Sequence, residues 1–186
     1  MMEKEFFEES ADRVAPELLG SLIVRKTGQE TVKGKIVEIE AYLGKEDPGS
    51  HAFNGKTDRN KLMFDTYGKI YVYLCYGLHH MFNVTAGIES TGAVLVRAVE
   101  PVEGLEKIKE NRNVQDFYSL TDGPGKLTEA FEIDRSFNGE NVSEGDLRIE
   151  KGETVEEVKK SGRIGISRGK ERELRFYIPG NRFVSS

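Results

Sequence analysis

The segment Tyr71-Val-Tyr-Leu-Cys-Tyr-Gly-Leu-His-His-Met-Phe-Asn83 constrains this chain more than any other stretch of it. Its opening alternates aromatic and aliphatic residues as a β-strand does, with Tyr71 and Tyr73 on one face, and Gly77 breaks the run. Three tyrosines so close together cannot all belong to a core. Tyr76 stands at the end of the run, where a rigid ring in a chain without tryptophan suits stacking on a flat ligand. The ordinary account of such a run is an aromatic core strand, so the choice rests on residues elsewhere.

The chain has 186 residues. That is the length of one domain, here spanning 1–186, able to bury about 70% of the surface its unfolded chain exposes without disulfide or metal. The lone Cys75 lies in an apolar stretch and is expected to be a reduced, buried thiol of a cytoplasmic protein. The acidic N-terminus does not read as a signal peptide, and no apolar run reaches membrane-spanning length. With 3 His and 1 Cys, and neither H-E-x-x-H nor C-x-x-C spacing, metal-free chemistry is expected. The net charge of −5 argues mildly against a nucleic-acid partner, but the charge is unevenly spread. Residues 159–182 hold eight bases (Lys159, Lys160, Arg163, Arg168, Lys170, Arg172, Arg175, Arg182) against Glu171 and Glu173. A local basic face of that kind is what a polyanion meets first.

Along the chain, Ser10 or Asp12 can cap a helix running to Leu19 and closed by Gly20, with Pro16 near its start. Leu22–Thr27 and Thr31–Tyr42 read as strands joined at Gly28-Gln29. Leu43 to Leu62 is irregular and rich in turn residues, including Asp47-Pro48-Gly49; so long an irregular segment in a compact domain usually builds a site. Strands are expected at 70–76, 93–98, 147–150, 163–167 and 174–178. Helices are expected near Leu105–Arg112 and Leu127–Phe131, the second entered through the turn Asp122-Gly-Pro-Gly-Lys126.

Glu38 and Glu40 fall on one strand face, with Val37 and Ile39 on the other. An isolated Glu-Ile-Glu pattern ordinarily faces solvent. Glu40, however, ends the strand directly before the glycine-rich loop, a common place for a general base, and Glu38 is expected to matter less. Arg97 interrupts an apolar strand on the face shared with Leu95 and Val99; buried there, it needs a carboxylate or several carbonyls. That need is met equally by a structural ion pair or by an active site.

Several blocks together carry a family resemblance. They are Ile36-Val-Glu-Ile-Glu-Ala-Tyr-Leu-Gly44, Glu46-Asp47-Pro48, His51, Arg59-Asn60, Met63-Phe64, Ile70-Tyr-Val-Tyr-Leu-Cys-Tyr-Gly77 and Asn83. Val94-Leu-Val-Arg-Ala-Val-Glu-Pro101, Glu103-Gly104, Arg163-Ile-Gly165 and Leu174-Arg-Phe-Tyr177 follow in order. This series, collinear from about Phe6 to Val184, resembles the alkyladenine (3-methyladenine) DNA glycosylase family.

The resemblance implies an α+β fold: a single mixed domain with a curved antiparallel β-sheet and peripheral helices. It implies a monofunctional, cofactor-free, metal-free repair glycosylase, acting as a monomer on double-stranded DNA that contains damaged purines. The bases expected to be released are 3-methyladenine and 7-methylguanine, extending to hypoxanthine and ethenoadenine. By motif position, Glu40 activates water, which Arg97 and the main-chain carbonyl of Ile164 help to hold. Tyr42, His51 and Tyr73 enclose the flipped base, Asn83 screens out guanine, and Tyr76 fills the gap in the duplex. The physics is compatible: an enzyme acting on a base must extrude it and hold it between aromatic faces, and a strand bearing Tyr73 with Tyr76 at its tip supplies both. The loop after His51 is one residue shorter than the family pattern, and Leu78-His79 replace the Met-Tyr pair of vertebrate members. Two rival readings differ in class. One is a non-catalytic single-stranded nucleic-acid module stacking bases on Tyr71, Tyr73 and Tyr76; the other is a glycosylase/lyase forming a Schiff base through a lysine such as Lys56.

Overall fold

A computed structural model describes residues 2–185. Among them, eight strands form one sheet in which every pairing is antiparallel: β1 (Leu22–Thr27), β2 (Glu30–Tyr42), β3 (Ile70–Cys75), β4 (His79–Thr85), β5 (Ala93–Glu103), β6 (Leu147–Glu150), β7 (Lys159–Ser161) and β8 (Arg175–Tyr177). The long strand β2 organises the rest. One of its edges pairs with β5, while the other takes β1 along its first half and β8 along Glu38–Glu40. The remaining strands extend this centre into the order β3-β4-β5-β2-β1-β6. Helices α1 (Ala11–Leu18), α2 (Lys61–Asp65), α3 (Leu105–Arg112) and α4 (Pro124–Ala130) complete the α+β arrangement of a curled antiparallel sheet with helices around it.

The two faces of the sheet do different things. Ile36, Ile39, Ala41, Ile70, Val72, Phe82, Val84, Val94, Val96 and Val99 point into the main core, where α1 presents Ala11, Val14, Ala15 and Leu18 at helical spacing. Burying each of the Val, Leu, Ile and Phe side chains contributes about 1.5–3 kcal/mol, and each Ala less. On the opposite face Tyr71, Tyr73 and Ala93 pack with Ala52 and Met63, while Val37 and Ala98 pack with Phe183. Alternate residues therefore serve core and site from the same strands.

Strict alternation fails between Lys33 and Gly34 and again, nearer the site, between Ile36 and Ile39. Ile36 opposes Val99, Glu38 opposes Ala98 and Ile39 opposes Val96, so Val37 and Arg97 each stand as the extra residue of a β-bulge. Val37 consequently shares the face of Glu38 and not that of Ile39, and Val99 turns to the core away from Arg97. Other expectations also change. The 163–167 segment is not a strand; its place beside β8 is taken by the charged β7. Pro16 lies in the last turn of α1 and not near its start. Strand β4 and helix α2 lie where none was expected. Cys75 is half-buried at the end of β3, not enclosed in a core strand.

Candidate active site

Glu38 and Glu40 are both 0% exposed, so neither faces solvent as an isolated Glu-Ile-Glu pattern suggests. Glu40 meets Ile164, and Glu38 meets Arg175 and Ser185, all from the late part of the chain. Glu40 Oε2 accepts the Tyr42 hydroxyl at 2.7 Å and lies 3.3 Å from Arg97 Nη1; Oε1 accepts the main-chain N–H of Ile164 at 2.7 Å. Ile164 thus meets Glu40 through its amide. The Tyr42 phenol is held well above its ordinary pKa, by burial and then by the Glu40 carboxylate, so it stays a donor. Two hydrogen bonds and the Arg97 ion pair leave part of the carboxylate's capacity of roughly four lone-pair directions open to a further partner.

Beside this carboxylate is a pocket lined by Tyr42, Gly49, His51, Met63, Tyr71, Tyr73, Asn83 and Ala93. Sheet register explains the assembly. Tyr71 of β3, Asn83 of β4, Leu95 of β5 and Glu40 of β2 are successive cross-strand partners, so one row across the sheet runs from the aromatic wall to the carboxylate. Tyr42, two residues beyond Glu40, belongs to both groups. His51 stands at the rim, its ring edge-on to Tyr73 at 4.6 Å and its Nδ1 3.1 Å from the Tyr71 hydroxyl. Burial of its inner side, and then the nearby Arg59 guanidinium, hold the imidazole below its usual pKa, so it is neutral at neutral pH. Burial likewise raises Tyr71 and Tyr73. The walls are therefore flat, aromatic and uncharged. Asn83 is buried, and its Nδ2 donates to the carbonyls of Tyr71 at 3.0 Å and Met81 at 3.1 Å, which fixes the amide in place.

Asp47, read from sequence as a turn residue, is fully buried and grips Arg163 with both oxygens at 2.6 Å. The same guanidinium donates to the Ala41 carbonyl at 2.9 Å and stacks on the Tyr42 ring at 4.7 Å. It therefore ties the loop after β2 to the segment that delivers Ile164 to Glu40. Gly49 is required here, because a Cβ would come within 2.7 Å of Arg163 Nη2. Arg175 is likewise bonded to Glu38, at 2.6 Å. Two of the eight bases between 159 and 182 thus have internal carboxylate partners, which thins the basic face expected there.

Tyr76 is placed apart from this cluster, at the tip of the β3–β4 hairpin. Its side chain is 92% exposed, and the neighbouring Leu78 is 76% exposed. The Leu78 N–H donates to the Cys75 carbonyl at 3.0 Å, closing a turn whose central residues, Tyr76 and Gly77, have φ of 50° and 72°. Positive φ at both positions matches the right-handed twist of a hairpin, but only glycine adopts it without cost. A tyrosine held in that conformation and pointed at solvent is unusual for a core strand.

The structure brings Glu40, Tyr42, Arg97 and Ile164 into one cluster and Tyr42, His51, Tyr73 and Asn83 around one pocket. Tyr71, Met63, Asp47 and Arg163 complete the surroundings. Among the described residues no group of His, Cys, Asp or Glu is placed to hold a metal ion, and no helix is long and apolar enough to cross a membrane. Chemically, the arrangement offers a carboxylate able to take a proton beside a slot for a flat ring.

The family profile described as Methylpurine-DNA glycosylase (MPG) matches residues 5–182. A protein of Methanoculleus marisnigri is 42% identical over 186 residues, covering 97% of this chain and 96% of the relative. One of Carboxydothermus hydrogenoformans is 42% identical over 189 residues, covering 100% and 98%, and one of Salinibacter ruber is 44% identical over 195 residues, covering 97% and 94%. All three bear the provisional name 3-methyladenine DNA glycosylase.

Proposed function

The chain belongs to the methylpurine-DNA glycosylase family, and on that premise we propose that it hydrolyses the N-glycosidic bond of damaged purines in duplex DNA with a Glu40-activated water. The substrates of this reading are 3-methyladenine and 7-methylguanine, with hypoxanthine and ethenoadenine. The observation that carries it is a buried, donor-held carboxylate joined through Tyr42 to a flat, uncharged aromatic pocket. A base cannot reach such a pocket from within the stack, so it must be flipped out at a cost of a few kcal/mol. Tyr76 is positioned to fill the gap.

In the reaction, Glu40 takes the proton of a water whose oxygen attacks C1′. The bond to the purine breaks and its electron pair goes to the base, which leaves neutral where alkylation has made it cationic and takes up a proton from solvent where, as in hypoxanthine or ethenoadenine, it was uncharged. The anionic carboxylate faces the sugar as positive charge develops there. Arg97 and the Ile164 carbonyl hold the water. The Asn83 amide, unable to swing aside, obstructs the exocyclic amine of guanine, so 7-methylguanine, which keeps that amine and is released only because its cationic ring leaves readily, is the poorer substrate beside 3-methyladenine. Water suits the role of nucleophile better than an amine does, because no lysine lines the pocket and Lys56 pairs with Asp65 at 2.6 Å. Burial of Tyr71 removes one ring from the three-tyrosine stacking platform of a non-catalytic module and so favours the enzyme.

Incubation with alkylated duplex and chromatography of the soluble fraction tests this: free 3-methyladenine is expected, with strands left uncut. Borohydride is expected to trap no covalent adduct. Absence of released base, or a trapped adduct, contradicts the reading.

Tyr76→Ser is expected to weaken binding to damaged duplex by about tenfold, since stacking of a base on an aromatic ring is worth about 1–3 kcal/mol. Excision should suffer most where the lesion is well paired and least where it is already mispaired. Melting temperature should hardly move, because the ring is exposed in the free protein. Calorimetry and excision assays on the same sample check both parts; a melted mutant argues for a core role.

A further inference from the structure

Glu38 and its partners form a second heavily bonded group near the site, beside that of Asp47 and Arg163. Its Oε1 accepts Arg97 Nε at 3.0 Å, Arg175 Nε at 2.6 Å and the Ser185 hydroxyl at 2.8 Å; its Oε2 accepts the Ser185 N–H at 2.6 Å. Three donors thus converge on Oε1 and one on Oε2, so the carboxylate is held from both oxygens. Arg175 closes the ring by donating to the Ser185 carbonyl at 2.8 Å. Arg97, on its bulge, has one edge committed to this group, through Nε to Glu38 and Nη2 to Ser185 Oγ at 3.4 Å, and only Nη1 approaches Glu40.

We infer that Glu38, clamped by Ser185 and Arg175, is a positioning residue that holds Arg97 in a one-handed grip on Glu40 and so keeps a lone pair of Glu40 Oε1, beside the Ile164 amide, open to water. This rests on the reading of Glu40 as the water-activating group. Two guanidinium groups face two carboxylates in a space closed to solvent, so charge is balanced only while both acids are present. Neutralising Glu38 leaves Glu40 as the remaining carboxylate beside Arg97. A planar guanidinium prefers two parallel bonds to one carboxylate. Arg97 would rotate onto both Glu40 oxygens and occupy the site the water needs. Glu38 touches no substrate in this account, so its loss slows chemistry and spares binding of the lesion.

The test compares wild type, Glu38→Gln, Ser185→Ala, Arg97→Gln, the double variant Glu38→Gln/Arg97→Gln and a Glu40→Gln control. Single-turnover excision and affinity for a duplex carrying a non-hydrolysable nucleotide are both measured. Glu38→Gln should slow excision at least about tenfold, since small misplacements of catalytic groups cost up to about a hundredfold. Affinity should remain within about twofold of wild type. Ser185→Ala should show a smaller loss of the same kind. Added to Arg97→Gln, the Glu38 change should cause no further loss, because it acts through Arg97. A folded Glu38→Gln with a wild-type rate, or one whose full loss persists in the double variant, overturns the inference. Should Glu38→Gln not fold, Ser185→Ala decides: slowed chemistry at unchanged affinity sustains the inference and a wild-type rate sinks it. A wild-type protein that releases no base, or a Glu40→Gln control as fast as wild type, refutes the reading of Glu40 and this inference with it. Wild-type and control behaviour as expected, with only the Glu38 and Ser185 results failing, refutes the inference alone.

Discussion

Asp47→Ala is expected to lower the melting temperature at neutral pH by roughly 6–20 °C. Removing one partner of a buried ion pair costs about 3–5 kcal/mol, and a chain of this size loses about 2–4 °C per kcal/mol. The cost is high here because Arg163 has both Nη groups bonded to Asp47 and is itself closed to solvent. The pair also sets the pH window. Burial by itself would raise the Asp47 carboxyl, but the hydrogen bonds from Arg163, and then those from the amides of Leu43 and Gly49, outweigh it and hold the group below its ordinary value of 3.8. A carboxylate lowered in the folded state contributes stability that is complete above the unfolded value and is lost as pH falls through the folded one. The gap between wild type and Asp47→Ala should therefore be full at pH 7 and close progressively below about pH 4. Thermal melts across that range check it; a gap independent of pH would mean that packing of the loop, and not the charge pair, is what the mutation removes.

Much of the fold was legible because strand and helix signals there were local. Strands β1 and β6 and helix α3 lie where alternation, turns and flanking Gly104 put them. Strand β4 was not legible, since His79-His80-Met81 gives it a polar entry and only its last residues are buried. The misread 163–167 segment alternates Arg-Ile-Gly-Ile-Ser like a strand, yet Arg163 turns inward to Asp47 and Ile164 lends its amide to Glu40. Both contacts span more than a hundred residues, and no window on the sequence contains them.

The site divides in the same way. Glu40, Tyr73 and Tyr76 could be singled out from the end of a strand, an aromatic face and a glycine break. Burial of Glu38 could not, because a two-residue period says only that two side chains share a face, and the cover over that face comes from Phe183 and Ser185. The role of Arg97 depends on a bulge that counting along the strand cannot reveal. Asp47 sat among Pro48 and Gly49 as an ordinary turn residue, marked only as part of the family block Glu46-Asp47-Pro48; its partner Arg163 lies 116 residues away.

Glu40→Gln is expected to lower base release by about 10²–10⁴-fold, the usual worth of a positioned general base. The amide is nearly isosteric, so Tyr42 and the Ile164 amide can keep one oxygen partner, but it carries no charge to draw a proton from water or to face a cationic sugar. The slot formed by His51, Tyr71 and Tyr73 is untouched, so the damaged base should still be flipped and held. The decisive measurement is single-turnover excision of 3-methyladenine from one duplex by wild type and Glu40→Gln, with affinity for that duplex determined on the same preparations. The account predicts unchanged or tighter binding with release reduced at least about a hundredfold. Near-normal release by Glu40→Gln would contradict it and require another acid to activate the water.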